Sequence, residues 1–140
     1  AEFGGEDPVE AAQLTGPQAR QGGWISPDTR SSIVAPYLDA WRRKVERLGT
    51  LNYPTIARGH ATARYPVVEV QLLASGRLGS VRLRRSSGVA ELDEAALQIL
   101  RLASPFDPFP APLARAYPVL RFAYEWRFEA GSQVSLQGAP

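Results

Sequence analysis

Val34, Leu38, Trp41, Val45 and Leu48 recur at spacings of three and four, while Asp39, Arg42, Arg43, Glu46 and Arg47 fill the opposite side. That period predicts an amphipathic helix. Ser31 or Ser32 is placed to cap its start, Pro36 is tolerable in a first turn, and Gly49 is the expected left-handed stop. Tyr53-Pro54 then favours an extended residue followed by a short helix through Arg58 and Gly59.

From Pro66 the period changes to two. Val68, Val70 and Leu72 share one face and Glu69 and Gln71 the other, which predicts a half-buried strand. Ser75-Gly76 breaks it, and Val81 and Leu83 then face inward against Ser80, Arg82 and Arg84, so the two runs form an antiparallel hairpin. After Ser86-Ser87-Gly88, a stripe of Leu92, Ala95, Ala96, Ile99, Leu100 and Ala103 predicts a second helix, with Glu91, Asp93 and Glu94 at its positive end. Pro105, Pro108, Pro110, Pro112 and Pro118 argue against regular structure in the stretch that follows. Val119 to Glu129 alternates again, with Leu120, Phe122, Tyr124, Trp126 and Phe128 on one face and Arg121, Ala123, Glu125 and Arg127 on the other.

This order predicts an α+β domain. A three-stranded antiparallel sheet, in the order 2-1-3, is packed on one face by helices, with the Trp41 helix as an N-terminal addition and the other face polar. The last strand is then an edge strand. Residues 1–32, rich in glycine and proline, read as a flexible tail or linker, the domain as 33–130, and 131–140 as a polar C-terminal tail. The chain starts at Ala1 without a methionine, so it is expected to be processed or cut from a longer product, and Glu2-Phe3 reads as a cloning remnant.

Composition narrows the chemistry. Sixteen basic residues, all arginine except Lys44, oppose fourteen acids, for a net charge of +2. The surplus is spread too evenly to point to nucleic acid, and Arg82, Arg84 and Arg85 read as a solvated strand face. There is no cysteine and one histidine, His60. Without co-ligands His60 reads as a surface residue, so a metal site would rest on carboxylates alone. Ser86-Ser87-Gly88 lacks the surroundings of a nucleophile elbow, and Gly76 and Gly79 are hairpin glycines rather than a phosphate loop. No cofactor site is expected. The inventory predicts a binding module, not an enzyme.

Several of these features occur together in a known arrangement. Tyr53-Pro54, a strand, the Ser75-Gly76 turn, a second strand ending in Arg85-Ser86-Ser87-Gly88, then Leu92-Asp93, Ala95-Ala96-Leu97 and Pro105-Phe106 with Pro108-Phe109-Pro110 resemble the C-terminal domain of TonB-family energy transducers. The resemblance runs from about Leu51 to Phe128. It departs at Arg64-Tyr65-Pro66, where the family commonly has Gly-x-Val, and at Ser75-Gly76, where Asp-Gly is usual.

The resemblance implies a periplasmic domain at the end of a proline-rich spacer, anchored in the inner membrane beside the proton-driven ExbB/ExbD motor complex. It implies capture of the TonB box of an outer-membrane TonB-dependent receptor, whose cargo would be a ferric siderophore, haem or a similar substrate. The matching positions are Thr50, Leu51, Asn52, Tyr53 and Pro54, with Val119, Arg121, Ala123, Glu125 and Arg127 on the last strand. Binding there would be by strand addition at the exposed edge, which would also allow two copies to pair as a homodimer. A TolA-like domain and a structural or cell-wall-binding envelope domain are the alternatives.

Overall fold

The structure is a computed structural model and describes residues 24–53, 64–129 and 132–139. The elements run α1 (Ala35–Leu51), β1 (Val67–Leu73), β2 (Leu78–Arg85), α2 (Ala90–Ala103), α3 (Ala111–Ala116), β3 (Val119–Glu129) and β4 (Gln133–Ala139). The strands form one sheet in the order β2-β1-β3-β4, each antiparallel to its neighbours. The α+β class and the order 2-1-3 agree with expectation. The strand count does not, because β4 pairs with β3 from Ala123↔Ala139 to Glu129↔Gln133. Thus β3 is an inner strand rather than an edge, and the segment 131–140 carries a strand instead of a polar tail.

Register aligns the apolar side chains. Val70 lies opposite both Val81 and Phe122, and Val68 opposite Leu83 and Tyr124, so one face of the sheet presents a continuous apolar surface. Leu97, Leu100 and Ala103 of α2 and Leu38, Trp41 and Val45 of α1 cover it, all buried. Complete burial of side chains such as Phe122, Trp126 and Leu100 stabilises the fold by roughly 1.5–3 kcal/mol each. Trp41 stacks on Tyr124 at 5.7 Å and meets Phe122 edge-on at 4.9 Å, which makes α1 part of the core. The outer face is less polar than expected: Val67, Val119 and Ala123 are buried there.

Two loops are fixed by glycine and by backbone pairing. Gly76 has φ +93°, and a Cβ there would lie 2.1 Å from the Phe106 carbonyl oxygen. The Gly76 carbonyl accepts from the Phe106 amide at 2.9 Å, and Ala74 accepts from Phe109 at 2.8 Å, so the β1–β2 turn and the proline-rich loop are locked together. On the other side of that loop, α1 supplies a Tyr37 hydroxyl that donates to the Asp107 carbonyl at 2.6 Å and a Lys44 ammonium that donates to the Pro105 carbonyl at 3.2 Å. Asp93 is buried, and its carboxylate accepts from the Ser87 amide at 2.8 Å and from the Ser86 hydroxyl, tying the turn after β2 to the start of α2.

Two local expectations need correction. The prolines after α2 do not exclude helix: α3 forms at Ala111–Ala116 with Pro112 in its first turn, where a missing N–H costs nothing. Gly49 does not stop α1, which continues to Leu51. The short helix expected after Pro54, and Pro54 itself, lie outside the described residues.

Candidate functional site

The last turns of α1 and the outer edge of the sheet meet. The Leu136 amide donates to Glu46 Oε2 at 2.8 Å and the Val134 amide to Thr50 Oγ1 at 3.1 Å. Both amides point away from β3, so two helix side chains occupy donors that β4 would otherwise present to solvent. Gly49 makes this approach possible, since a Cβ there would sit 3.1 Å from the Val134 side chain. Val134 and Leu136 are buried beneath α1, opposite Phe128 and Trp126 of β3.

Beyond the end of β4, the same border of β3 is met by the segment before α1. Trp24 forms an isolated parallel bridge to Arg121, and the Ile25 amide donates to the Arg121 carbonyl at 2.8 Å. Gly138 packs against Pro27 and Asp28. Residues 24–32, expected to belong to a loose tail, therefore lie along the sheet and lead into α1 with the Ser31 hydroxyl accepting the Val34 amide. The outer border of β3 is occupied by β4 over Ala123–Glu129 and by Trp24 at Arg121.

The expected binding positions divide accordingly. Thr50 holds β4, Leu51 is 74% exposed, and Asn52 closes α1 with its side-chain amide on the Leu48 carbonyl. Tyr53 donates its hydroxyl to the Glu129 carbonyl at 2.9 Å and meets the Phe128 ring edge-on, which brings it to the end of β3. Thr50 and Tyr53 thus join the β3–β4 hairpin. Val119 is buried opposite Leu73, and Ala123 is buried between Glu69 and Ala139. Glu125 pairs with Arg85 at 2.8 Å and Arg127 at 2.9 Å. Partial burial works to raise its carboxyl, but the hydrogen bonds from the two guanidinium groups outweigh this and hold it below the usual carboxylate range.

Sequence reasoning missed β4, Glu46 and Trp24. The signal for β4 was the alternation of Val134 and Leu136 with Ser135 and Gln137 after a turn at Ser132, whose φ is +61°. Among the described residues there is no cluster of three or more potential metal ligands and no helix long and apolar enough to cross a membrane.

The family model of the Gram-negative bacterial TonB protein C-terminal region matches residues 50–130. The chain belongs to this family. It is a C-terminal domain of the TonB-like energy transducer family, a class of domain that is in general periplasmic. The matched range runs from Thr50 through β3 and leaves most of α1, the Trp24 segment and β4 outside it. Among solved structures, the chain is similar to the HasB C-terminal domain at 21% identity, covering 77% of this chain and 92% of that one, with a TM-score of 0.38. No curated protein matches it in sequence.

Proposed function

We propose that this domain takes up the TonB box, an extended peptide of an outer-membrane receptor, beside β3, and that the peptide does so by exchanging with β4. The observation that supports this reading is the make-up of the β3 border. It is closed by a seven-residue strand held mainly by two buried side chains, Val134 and Leu136, and by backbone pairing. A partner strand with apolar residues two apart can make the same contacts with Trp126, Phe128 and α1. Addition outside β4 is disfavoured, because Glu46 and Thr50 already hold two of its outward amides. A main-chain hydrogen bond contributes about 0.5–1.5 kcal/mol net, and because exchange breaks as many bonds as it forms, affinity remains modest and the link reversible.

In this reading the domain passes inner-membrane energy to the receptor, with the ExbB/ExbD complex reached through a further segment of the transducer. Iron-siderophore or haem complexes would be the receptor's cargo. A homodimer formed by edge pairing would use β2, the other terminal strand of the sheet.

The absence of native cysteine allows a direct test. Arg127 and Ser135 are cross-strand partners, and antiparallel partners have Cα separations of about 4.5–5.5 Å, within disulfide range. In the double variant Arg127→Cys, Ser135→Cys, a box peptide should bind the reduced form and fail to bind the oxidised form. Equal binding by both forms would rule out exchange with β4. No binding by either, nor by the wild-type chain, would count against the receptor-peptide reading itself.

A further inference from the structure

The outer face of the sheet carries a second feature, which meets the β3 border only at Trp24 and Arg121. Ser80, Gln71 and Arg121 are register partners across β2, β1 and β3, and Trp24 continues the row through its bridge to Arg121. Neighbouring strands lie about 4.8 Å apart, so these four residues form one line across the sheet. The adjacent row brings Arg82 opposite Glu69. Together with Val70, these residues line a cavity of about 250 Å³.

The polar groups in this cavity are unbalanced. Gln71 is 3% exposed; its Oε1 accepts from the Ser80 hydroxyl at 3.1 Å, but its buried Nε2 donates to nothing. A buried amide left without an acceptor costs about 1–3 kcal/mol, so an acceptor that enters the cavity recovers that cost. Arg82 is exposed and, among the described residues, its guanidinium makes no ion pair or hydrogen bond. The one carboxylate in the lining, Glu69, is already engaged by Arg84 at 2.7 Å. Three guanidinium groups, from Arg82, Arg84 and Arg121, therefore surround a single neutralised acid. Trp24 stands at the rim, 41% exposed, with the Arg84 guanidinium 5.5 Å from its ring centroid, a fixed aromatic surface beside the donors.

We propose that this cavity binds a carboxylate borne next to an apolar or aromatic group. Gln71 Nε2 and Arg82 receive the carboxylate, and Trp24 packs on the neighbouring group. An anion is selected because the lining offers uncommitted donors and no uncommitted acid. A guanidinium recognises a planar carboxylate with two parallel hydrogen bonds. The volume is below the roughly 300–1,000 Å³ of sites for drug-sized ligands, which limits the ligand to about one residue of a peptide. That carboxylate has two sources, the C-terminus of a peptide or an acidic side chain beside an aromatic residue. The site does not depend on exchange of β4, since its donors Gln71 and Arg82 lie on β1 and β2 and Trp24 meets β3 at Arg121, outside the stretch Ala123–Glu129 that β4 pairs with.

The test is a titration of the ¹⁵N-labelled full chain, followed at the Gln71 side-chain amide and the Trp24 indole N–H. N-acetyl-phenylalanine supplies a terminal carboxylate, N-acetyl-phenylalanyl-aspartyl amide a side-chain carboxylate, and N-acetyl-phenylalanine amide neither. A saturable shift of both signals with either acid, and none with the amide, is the expected result; the acid that binds more tightly identifies the source. Arg82→Gln, at an exposed position, should weaken binding about tenfold while leaving the melting temperature unchanged. The proposal is overturned if the amide binds as well as the acids, if the Gln71 signals stay fixed with either acid at about 10 mM, or if Arg82→Gln binds like the parent chain.

Discussion

The Glu46 carboxylate accepts the Leu136 amide at 2.8 Å across 90 residues of chain, so a helix side chain serves as the outer hydrogen-bonding partner of the last strand. The same carboxylate pairs with Arg42 at 2.8 Å through its other oxygen, which holds it in position for the strand. A sheet edge in this protein is thereby closed without a further strand.

Replacing Glu46 with alanine should release β4 before it affects the rest of the fold. A hydrogen bond to a charged group contributes about 1.5–3 kcal/mol, and on its outer side β4 is held by this bond, the Thr50 hydroxyl and the packing of Val134 and Leu136 under α1. Hydrogen exchange at the Val134 and Leu136 amides should accelerate by at least about tenfold, with little change at Val70 or Phe122 in the centre of the sheet. Uniform acceleration across all four strands would show that β4 opens only with global unfolding.

The two left-handed glycines separate backbone strain from collision. Gly88 has φ +92° and nothing within 4 Å of the point a Cβ would occupy, whereas at Gly76 the Phe106 carbonyl oxygen stands 2.1 Å away. Gly88→Ala should cost about 1–2 kcal/mol, the left-handed penalty alone. Gly76→Ala should cost at least about 2 kcal/mol more, because the proline-rich loop must move as well. Urea denaturation of the two variants measures the difference, and equal losses would contradict the clamp between Gly76 and Phe106.

The pairs at Glu125 make a pH-dependent contribution. Its folded carboxyl titrates below the unfolded one, so the stabilisation is complete above the unfolded value of about 4.3 and is lost as pH falls through the folded value. Its partners Arg85 and Arg127 are 44% and 40% exposed, so solvent screening limits the effect to about 0.5–1 kcal/mol. Glu125→Gln should be less stable than the parent at pH 7 by that amount, and the gap should be narrower at pH 3 than at pH 7. A constant gap between the two pH values would show that packing, not charge, is responsible.

The legibility of this fold in its sequence followed the number of side chains that carried each signal. The stripe from Val34 to Leu48 and the alternation from Leu120 to Phe128 each rest on five apolar positions, and both elements form where the pattern puts them. By contrast, β4 offers only two apolar positions, Val134 and Leu136, among polar residues and Gly138, an alternation too short to separate a strand from a surface loop. What makes it a strand is non-local: the Trp126 and Phe128 partners, the space left by Gly49, and acceptors from Glu46 and Thr50 on a helix far away in sequence. The α3 helix was hidden for the opposite reason, since the prolines around it are strong local signals and only the position of Pro112 in the first turn shows that they are compatible with helix. The family pattern pointed to Thr50 and Tyr53, but their bonds are non-local: Thr50 meets Val134 because β4 folds back on β3, and Tyr53 meets Glu129 because the end of α1 lies beside the end of β3.

Removing β4 should strengthen peptide binding while weakening the domain. A chain ending at Glu129 loses two buried side chains, each stabilising by roughly 1.5–3 kcal/mol, and leaves Trp126 and Phe128 partly uncovered. Its melting temperature should therefore fall, and circular dichroism is needed to confirm that the sheet persists. The freed border of β3 presents unpaired amides and carbonyls, which favours pairing with any extended chain, including a second copy; sedimentation at several concentrations detects that side reaction. For a receptor box peptide the effect is larger. The parent chain must give up its β4 contacts before the peptide gains equivalent ones, and an affinity measured against a competent state of low population is reduced by that population. Truncation removes the competition, so the peptide should bind at least about tenfold more tightly at protein concentrations where the truncated chain is monomeric. If the parent and the truncated chain bound with the same affinity, β4 would not compete for the peptide's place, and the binding surface would have to lie away from the outer border of β3.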